Sequence, residues 1–219
     1  MAYEKDRIKK QYLLLCEGTD AMRFFIHILN SKEFSEDSRF SNEIQVLNFG
    51  GNEDLSKYLE ILSVMEGYSN VKAIMIVRDA EGSFDTATSE IQSALRKHNY
   101  SVPNQAGEWK DGEPQTAFLL FPSLTQEHCN GALEDLCYSI IKENKIHEVS
   151  EEINRFLNTM RSEFGYAHNR IFKNRLHTYL SATDDYVTMK LGEAAAANAF
   201  DCSSEKLQYF RKMFMEVFE

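Results

Sequence analysis

Apolar positions along the chain switch between two periods, and the switches mark the elements. Tyr12 to Cys16 is a continuous apolar run with no alternation, which suits a strand buried on both faces. It stops on Glu17-Gly18-Thr19-Asp20, after which Met22, Phe25, Ile26 and Leu29 recur at helical spacing. Thr19 or Asp20 is expected to cap that helix by accepting from a free backbone N–H. The same layout follows twice more. Ile44 to Phe49 leads through Gly50-Gly51-Asn52 into a helix marked by Leu55, Tyr58, Leu59 and Leu62, with Asn52 as its expected N-cap. Val71 to Val77 leads through Arg78-Asp79-Ala80-Glu81-Gly82 into a helix from Phe84, with Ala87, Ile91, Ala94 and Leu95 inward. Thr116 to Pro122 reads as a fourth strand. Strands alternating with helices predict an α/β fold: a four-stranded, mostly parallel sheet flanked by helices.

Two intervening stretches read as loops. Ser31 to Asn42 is polar, and Ser101 to Gln115 is rich in Pro, Gly, Asn and acids and carries the single tryptophan, Trp109. The second is expected to be flexible and near the site. From Gly131 onward the period is helical throughout. Leu133, Leu136, Cys137, Ile140 and Ile141 form one face; Ile153, Phe156, Leu157, Met160 and Phe164 form another. Helices over Asn169 to Leu180, Val187 to Ala197 and Ser203 to Phe218 follow, the last with Leu207, Phe210, Phe214 and Val217 inward. No linker interrupts the chain. The expected organisation is an α/β core over 1–145 and a helical portion over 146–219 packed on it as one globular unit.

Chemistry concentrates where the apolar strands end. Open α/β sheets bind ligands outside the carboxyl ends of their strands, and there this chain places Glu17 and Asp20 after the first strand, Asp79 and Glu81 after the third; alternate residues of an extended chain point the same way, so Asp79 and Glu81 are expected to share a face. Like charges gathered at two strand ends are costly unless a cation neutralises them. Oxygen ligands of this kind suit Mg²⁺ or Mn²⁺. Each acid also has a plainer role available, at a helix N-terminus or in a turn. Glu134 and Asp135, early in the helix after Gly131, either extend the cluster or complement a helix dipole. The Gly50-Gly51 turn ahead of a helix is either a tight turn or an anion site.

The motifs resemble a known superfamily. Leu13-Leu14-Leu15-Cys16-Glu17-Gly18-Thr19-Asp20 is similar to the first motif of the Toprim fold, and Ile74-Met75-Ile76-Val77-Arg78-Asp79-Ala80-Glu81-Gly82 resembles its second, Asp-x-Asp after a strand. Asp20, three residues after Glu17, is most similar to the OLD-like nuclease branch. Gly131-Ala132-Leu133-Glu134-Asp135-Leu136 and Leu191-Gly192-Glu193-Ala194-Ala195 further resemble a small Toprim-like family of unknown function. The second motif departs from the pattern, with Glu81 where the superfamily usually has Asp. The resemblance implies a Toprim-like fold and a Mg²⁺-dependent (or Mn²⁺-dependent) phosphodiester hydrolase acting on DNA or RNA. Glu17, Asp79 and Glu81 would hold one ion, Asp20 and Glu134 would help hold a second, and Glu17 could serve as general base. It also implies a late lysine near the metals, for which Lys173 is the candidate by order, and an ATPase or helicase partner. The alternative is a non-catalytic or partner-dependent binding module, which the Glu81 departure and the acidic balance favour. A small-molecule phosphohydrolase using Gly50-Gly51 is a third reading.

Composition sharpens this in three ways. A net charge of −10 in 219 residues argues against a general nucleic-acid coat protein. Arg155 to Arg175 runs against that balance: it holds Arg155, Arg161, Arg170, Lys173 and Arg175 against one acid, Glu163, with Tyr166, His168 and Phe172 interleaved. It is either a phosphate-contacting patch, with Arg170 and Arg175 its strongest members, or a solvated helix face paired with surplus acids. The charged start lacks an apolar signal region, no 18-residue apolar run occurs, and four unpaired cysteines read as reduced thiols. A cytoplasmic protein with no membrane partner is expected. No G-x-x-x-x-G-K-[ST], H-x-x-x-H or G-x-S-x-G occurs, which excludes a P-loop, a zinc-protease helix and a nucleophile elbow.

Overall fold

A computed structural model of the chain describes residues 7–51, 54–141, 146–168 and 170–218; the expected cap Asn52 and the helix start at Asn169 lie outside these residues. Four strands form one sheet: β1 (Tyr12–Glu17), β2 (Ile44–Gly50), β3 (Ala73–Asp79) and β4 (Gln115–Phe121). Their order is β2-β1-β3-β4, and every pairing is parallel. This is the expected α/β class, and the layout is consistent with a Toprim-like fold.

Alternation along each strand sends side chains to two different layers. Tyr12, Leu14, Cys16, Met75, Val77, Leu119 and Phe121 face one core, which also takes the C-terminal helices. Leu13, Leu15, Ile74, Ile76, Phe118 and Leu120 face the other, covered by α4 (Leu55–Leu62) and α5 (Phe84–Lys97). Both faces are buried, which is why the strands carry unbroken apolar runs. The inward stripe of α5 falls on Phe84, Ala87, Ile91, Ala94 and Leu95, and Ser83 caps it by accepting from the Thr86 N–H at 3.2 Å.

The remaining helices are α1 (Gly18–Asn30), α2 (Lys32–Ser35), α3 (Arg39–Glu43), α6 (Leu133–Ser139), α7 (Ile146–Phe164), α8 (Ile171–Ala182), α9 (Leu191–Ala196) and α10 (Glu205–Met215). The tail packs against the first core. Phe210 of α10 lies 4.8 Å from Phe25 of α1, and Tyr12 of β1 donates to the Val217 carbonyl at 3.0 Å. Among the described residues no helix is long and apolar enough to cross a membrane.

Five local expectations need correction. The stripe of α1 is Ala21, Phe24, Phe25, Ile28 and Leu29, with Ile26 exposed and Met22 only partly covered; the helix is packed between the sheet and α9, which rotates its buried face. Neither Thr19 nor Asp20 caps α1. The N-cap is Glu17, whose side chain makes no cap bond, and Gly18 follows at φ +80°, a conformation that glycine adopts without a Cβ penalty. Ser31 to Asn42 is no loop: it holds α2 and α3, anchored by fully buried Phe34 and Phe40. Ser101 to Gln115 is irregular but pinned, since Trp109 Nε1 donates to the Met213 carbonyl at 2.7 Å and Lys110 bridges to Thr116. It feeds the amino end of β4, at the opposite end of the strands from the strand-end acids. On α7, Ile153 and Leu157 are buried, whereas Phe156 and Phe164 face solvent.

Candidate acidic site

The order β2-β1-β3-β4 has a topological switch between β1 and β3. The chain leaves β1 to one side to form β2, then returns to the other side to form β3. A crevice opens at the carboxyl ends of two such strands. β1 and β3 end there in Glu17 and Asp79. Next to it, the ladder of β1 with β2 slips: Cys16 pairs with Asn48 but Glu17 pairs with Gly50, a bulge of the kind that re-aims strand-end residues.

Asp79 is more than a turn residue. Its Oδ1 accepts from the Leu133 N–H at 2.9 Å, at the first turn of α6. That bond seats α6 over the strand end and brings Glu134, only 8% exposed, beside Asp79. Burial pushes the Asp79 carboxyl up to about 7; the Leu133 N–H opposes this, Glu134 and Glu17 add to it, and Lys173 opposes it. Glu17 is also raised by burial, with Arg78, the Asp79 amide and Lys173 acting against the shift and Glu81 adding to it. From α8, the Lys173 Nζ reaches Glu134 at 3.2 Å. The structure therefore brings Glu17, Asp79, Glu134 and Lys173 into one electrostatic neighbourhood.

The other candidates stand further out or carry structural duties. Asp79 and Glu81 do not share a strand face: β3 ends at Asp79, and Glu81 sits in a turn at φ +49°, its N–H donating to the Gly131 carbonyl at 2.7 Å. The Glu81 side chain is exposed at the rim, near enough to act on Glu17. Asp20 is exposed on the first turn of α1, and its Oδ1 lies 3.4 Å from the Gly192 N–H. Asp135 bonds the Ala132 N–H at 3.1 Å and so closes the start of α6. The amides of the Gly50-Gly51 turn already have acceptors: Asn48 Oδ1 takes the first at 2.8 Å, and the Asp54 carboxylate takes the second at 3.1 Å. An acid in that position disfavours an incoming anion, so this turn is explained by its own bonds. The late Gly192 allows α9 to lie on α1, since a Cβ there would stand 2.7 Å from the Arg23 Cβ.

The basic stretch divides. Arg155 pairs with Glu152 at 2.8 Å, Arg161 donates to the Ala167 carbonyl at 3.4 Å, and Arg175 Nε donates to Asn154 at 2.9 Å. Arg170 is exposed at the start of α8, and Tyr166, four residues earlier in the chain, is exposed too. Among the described residues of this stretch, Lys173 pairs with Glu134, and Arg175 is near enough to act on Asp135.

Sequence inspection passed over Arg78. It is 2% exposed and follows Val77, which pairs with Cys16 at the end of the β1–β3 ladder, with its Nε 3.6 Å from Glu17 Oε2 and its Nη1 3.1 Å from Glu90. The signal was available: Ile74, Ile76 and Arg78 share one strand face, and a charge in that series must be paired.

Among the described residues no three His, Cys, Asp or Glu side chains are gathered tightly enough to hold an ion as they stand. The donors nevertheless suit a divalent cation in kind. They are hard oxygens, the Glu17 Oε2 atom is buried with no hydrogen-bond partner among the described residues, and burial raises the Asp79 carboxyl to about 7.

Residues 11–219 match a family model described as "Protein of unknown function (DUF3226)". No curated protein and no solved structure matches the chain.

Proposed function

The chain belongs to the DUF3226 family, whose description assigns no activity, and we propose from the site itself a Mg²⁺- or Mn²⁺-dependent phosphoryl-transfer protein, nuclease-like and of the Toprim, OLD-like kind. The observation that carries this reading is the convergence of half-buried Glu17 and Asp79 and buried Glu134 with Lys173 at the switch point of a parallel sheet.

Glu17, Asp79 and Glu134 would hold the cation, with Asp20 and Glu81 at the rim. A bound divalent ion would supply Lewis-acid polarisation of a phosphodiester and a water nucleophile at neutral pH. The protein's own residues have separate tasks. The Leu133 N–H orients the Asp79 carboxylate and holds α6 in place. Arg78 fixes Glu17 from the far side. Lys173, 41% exposed, can leave Glu134 for a phosphate oxygen and neutralise charge that develops there. Arg170 and Tyr166 lie at the same end of α8, where charge and a ring suit a strand of DNA or RNA.

A second reading, a binding module that turns over only with a partner such as an ATPase or helicase, is favoured by one observation. Lys173 is a built-in counter-ion on Glu134, in the place where a second cation would act. The two readings separate in a cleavage assay on single- and double-stranded DNA and RNA with Mg²⁺ or Mn²⁺. The enzyme reading expects metal-dependent cleavage by the chain alone, and at least about a hundredfold loss in Lys173→Met. Metal binding without cleavage of any substrate would leave the module.

A further inference from the structure

Against Arg78 lies an open cleft of about 710 Å³ lined by residues of α4 and α5. Its size is that of a small-ligand pocket. The buried Arg78 guanidinium lines it, together with Glu90, Lys97, Ser56, Ser89 and Ser93. Positions 86, 89, 90, 93 and 97 follow helical spacing along α5, so the exposed stripe of this helix is a polar wall opposite its apolar one. Ser56 ties the far wall together, accepting from Lys97 Nζ at 3.2 Å and contacting His98 Nε2 at 2.9 Å. Leu55 and Ala94 add an apolar surface.

Arg78 is under-used for so buried a cation. A guanidinium carries five N–H donors in a fixed fork. Its Nε has no hydrogen-bond partner, and its charge contacts are Glu17 at 3.6 Å and Glu90 at 3.1 Å. Glu17 is held at its strand end. Glu90 comes from the surface of α5 and its side chain is 47% exposed, so it can swing away. Its carboxylate sits where an external oxyanion would meet the fork. Asp85, the other acid lining the cleft, is 85% exposed and turned toward His128 at 3.4 Å.

We propose that this cleft is a binding site for a small phosphorylated ligand of nucleotide size, whose phosphate displaces Glu90 from Arg78 while Lys97 and the serine hydroxyls take the remaining oxygens. Arg suits this role because its planar fork matches phosphate geometry. The site includes none of Asp79, Glu134 and Lys173, and it touches the cation reading only through the Arg78 contact to Glu17.

The test is calorimetry of the full chain in EDTA with inorganic phosphate and with a nucleoside monophosphate as probes. Saturable binding is expected for both, tighter for the nucleotide. Glu90→Gln should tighten phosphate binding about fivefold by removing the internal competitor. Arg78→Lys retains the charge facing Glu17 but loses the fork, and should weaken binding about tenfold; Lys97→Met, a surface change that leaves folding alone, should weaken it severalfold. Absence of binding in both wild type and Glu90→Gln would overturn the proposal. So would phosphate binding that is indifferent to Glu90→Gln, Arg78→Lys and Lys97→Met, or that disappears in Lys173→Met, since the anion would then sit elsewhere.

Discussion

Replacing Asp79 by Asn should stabilise the protein at alkaline pH, and the reason is visible in its surroundings. The carboxyl is buried beside Glu134 and Glu17, and it holds its proton up to about pH 7 against an ordinary value of 3.8. A folded-state value above the unfolded one means that the folded protein binds the extra proton. Stability is therefore full below about pH 4, falls as pH rises to about 7, and is level above. The ceiling on that loss is about 4 kcal/mol, and solvent reaching this half-buried group cuts it to about 2 kcal/mol. Asn has no charge to desolvate, and its Oδ1 can still accept from the Leu133 N–H. Urea unfolding in EDTA at pH 5 and pH 8 should show wild type losing about 2 kcal/mol between them and Asp79→Asn losing much less. A wild type equally stable at both, or an Asn variant weaker than wild type at pH 8, would refute the reasoning. With Mg²⁺ present the sign reverses for wild type alone: a cation displaces the proton, so its stabilisation grows from pH 6 to pH 8.

Other consequences are simpler. Gly192→Ala places a Cβ 2.7 Å from the Arg23 Cβ and 3.3 Å from the Asp20 carboxylate, so α9 must lift from α1; thermal unfolding should report a loss of about 1–3 kcal/mol. Phe210→Ala leaves a hole among Phe25, Phe34 and Phe214 and should cost about 3–5 kcal/mol by denaturant titration. Asn48→Ala removes the acceptor of the part-buried Gly50 N–H, so a loss of about 1 kcal/mol is expected in the same assay.

The strands were legible because burial on both faces leaves an unmistakable apolar run, as in Leu13-Leu14-Leu15 and Ile74-Met75-Ile76. Their ends were legible too, since an acid after such a run has few structural excuses; Glu17 and Asp79 do meet at the switch point. Other features depend on contacts that local pattern does not encode. Phe34 and Phe40 lie in a polar stretch, and their burial comes from α10, more than 150 residues away in sequence. The face of α1 is set by α9, whose Gly192 and Ala194 allow close approach. Asp79 and Glu81 looked paired because extended alternation was carried two residues past the point where β3 ends. Lys173 was placed by order alone, and α8 delivers it because α6 and α8 pack together. Arg78 was missed because the strand was read for its acids and not for the charge beside them.

Calorimetric titration of Mg²⁺ and Mn²⁺ into wild type and Glu17→Gln at pH 7 decides whether the strand-end acids form a divalent-cation site. Saturable binding is expected in wild type, weakened at least about tenfold in Glu17→Gln, with proton release as Asp79 ionises. No binding up to about 10 mM, where even weak oxygen sites fill, or binding that Glu17→Gln leaves untouched, would contradict it.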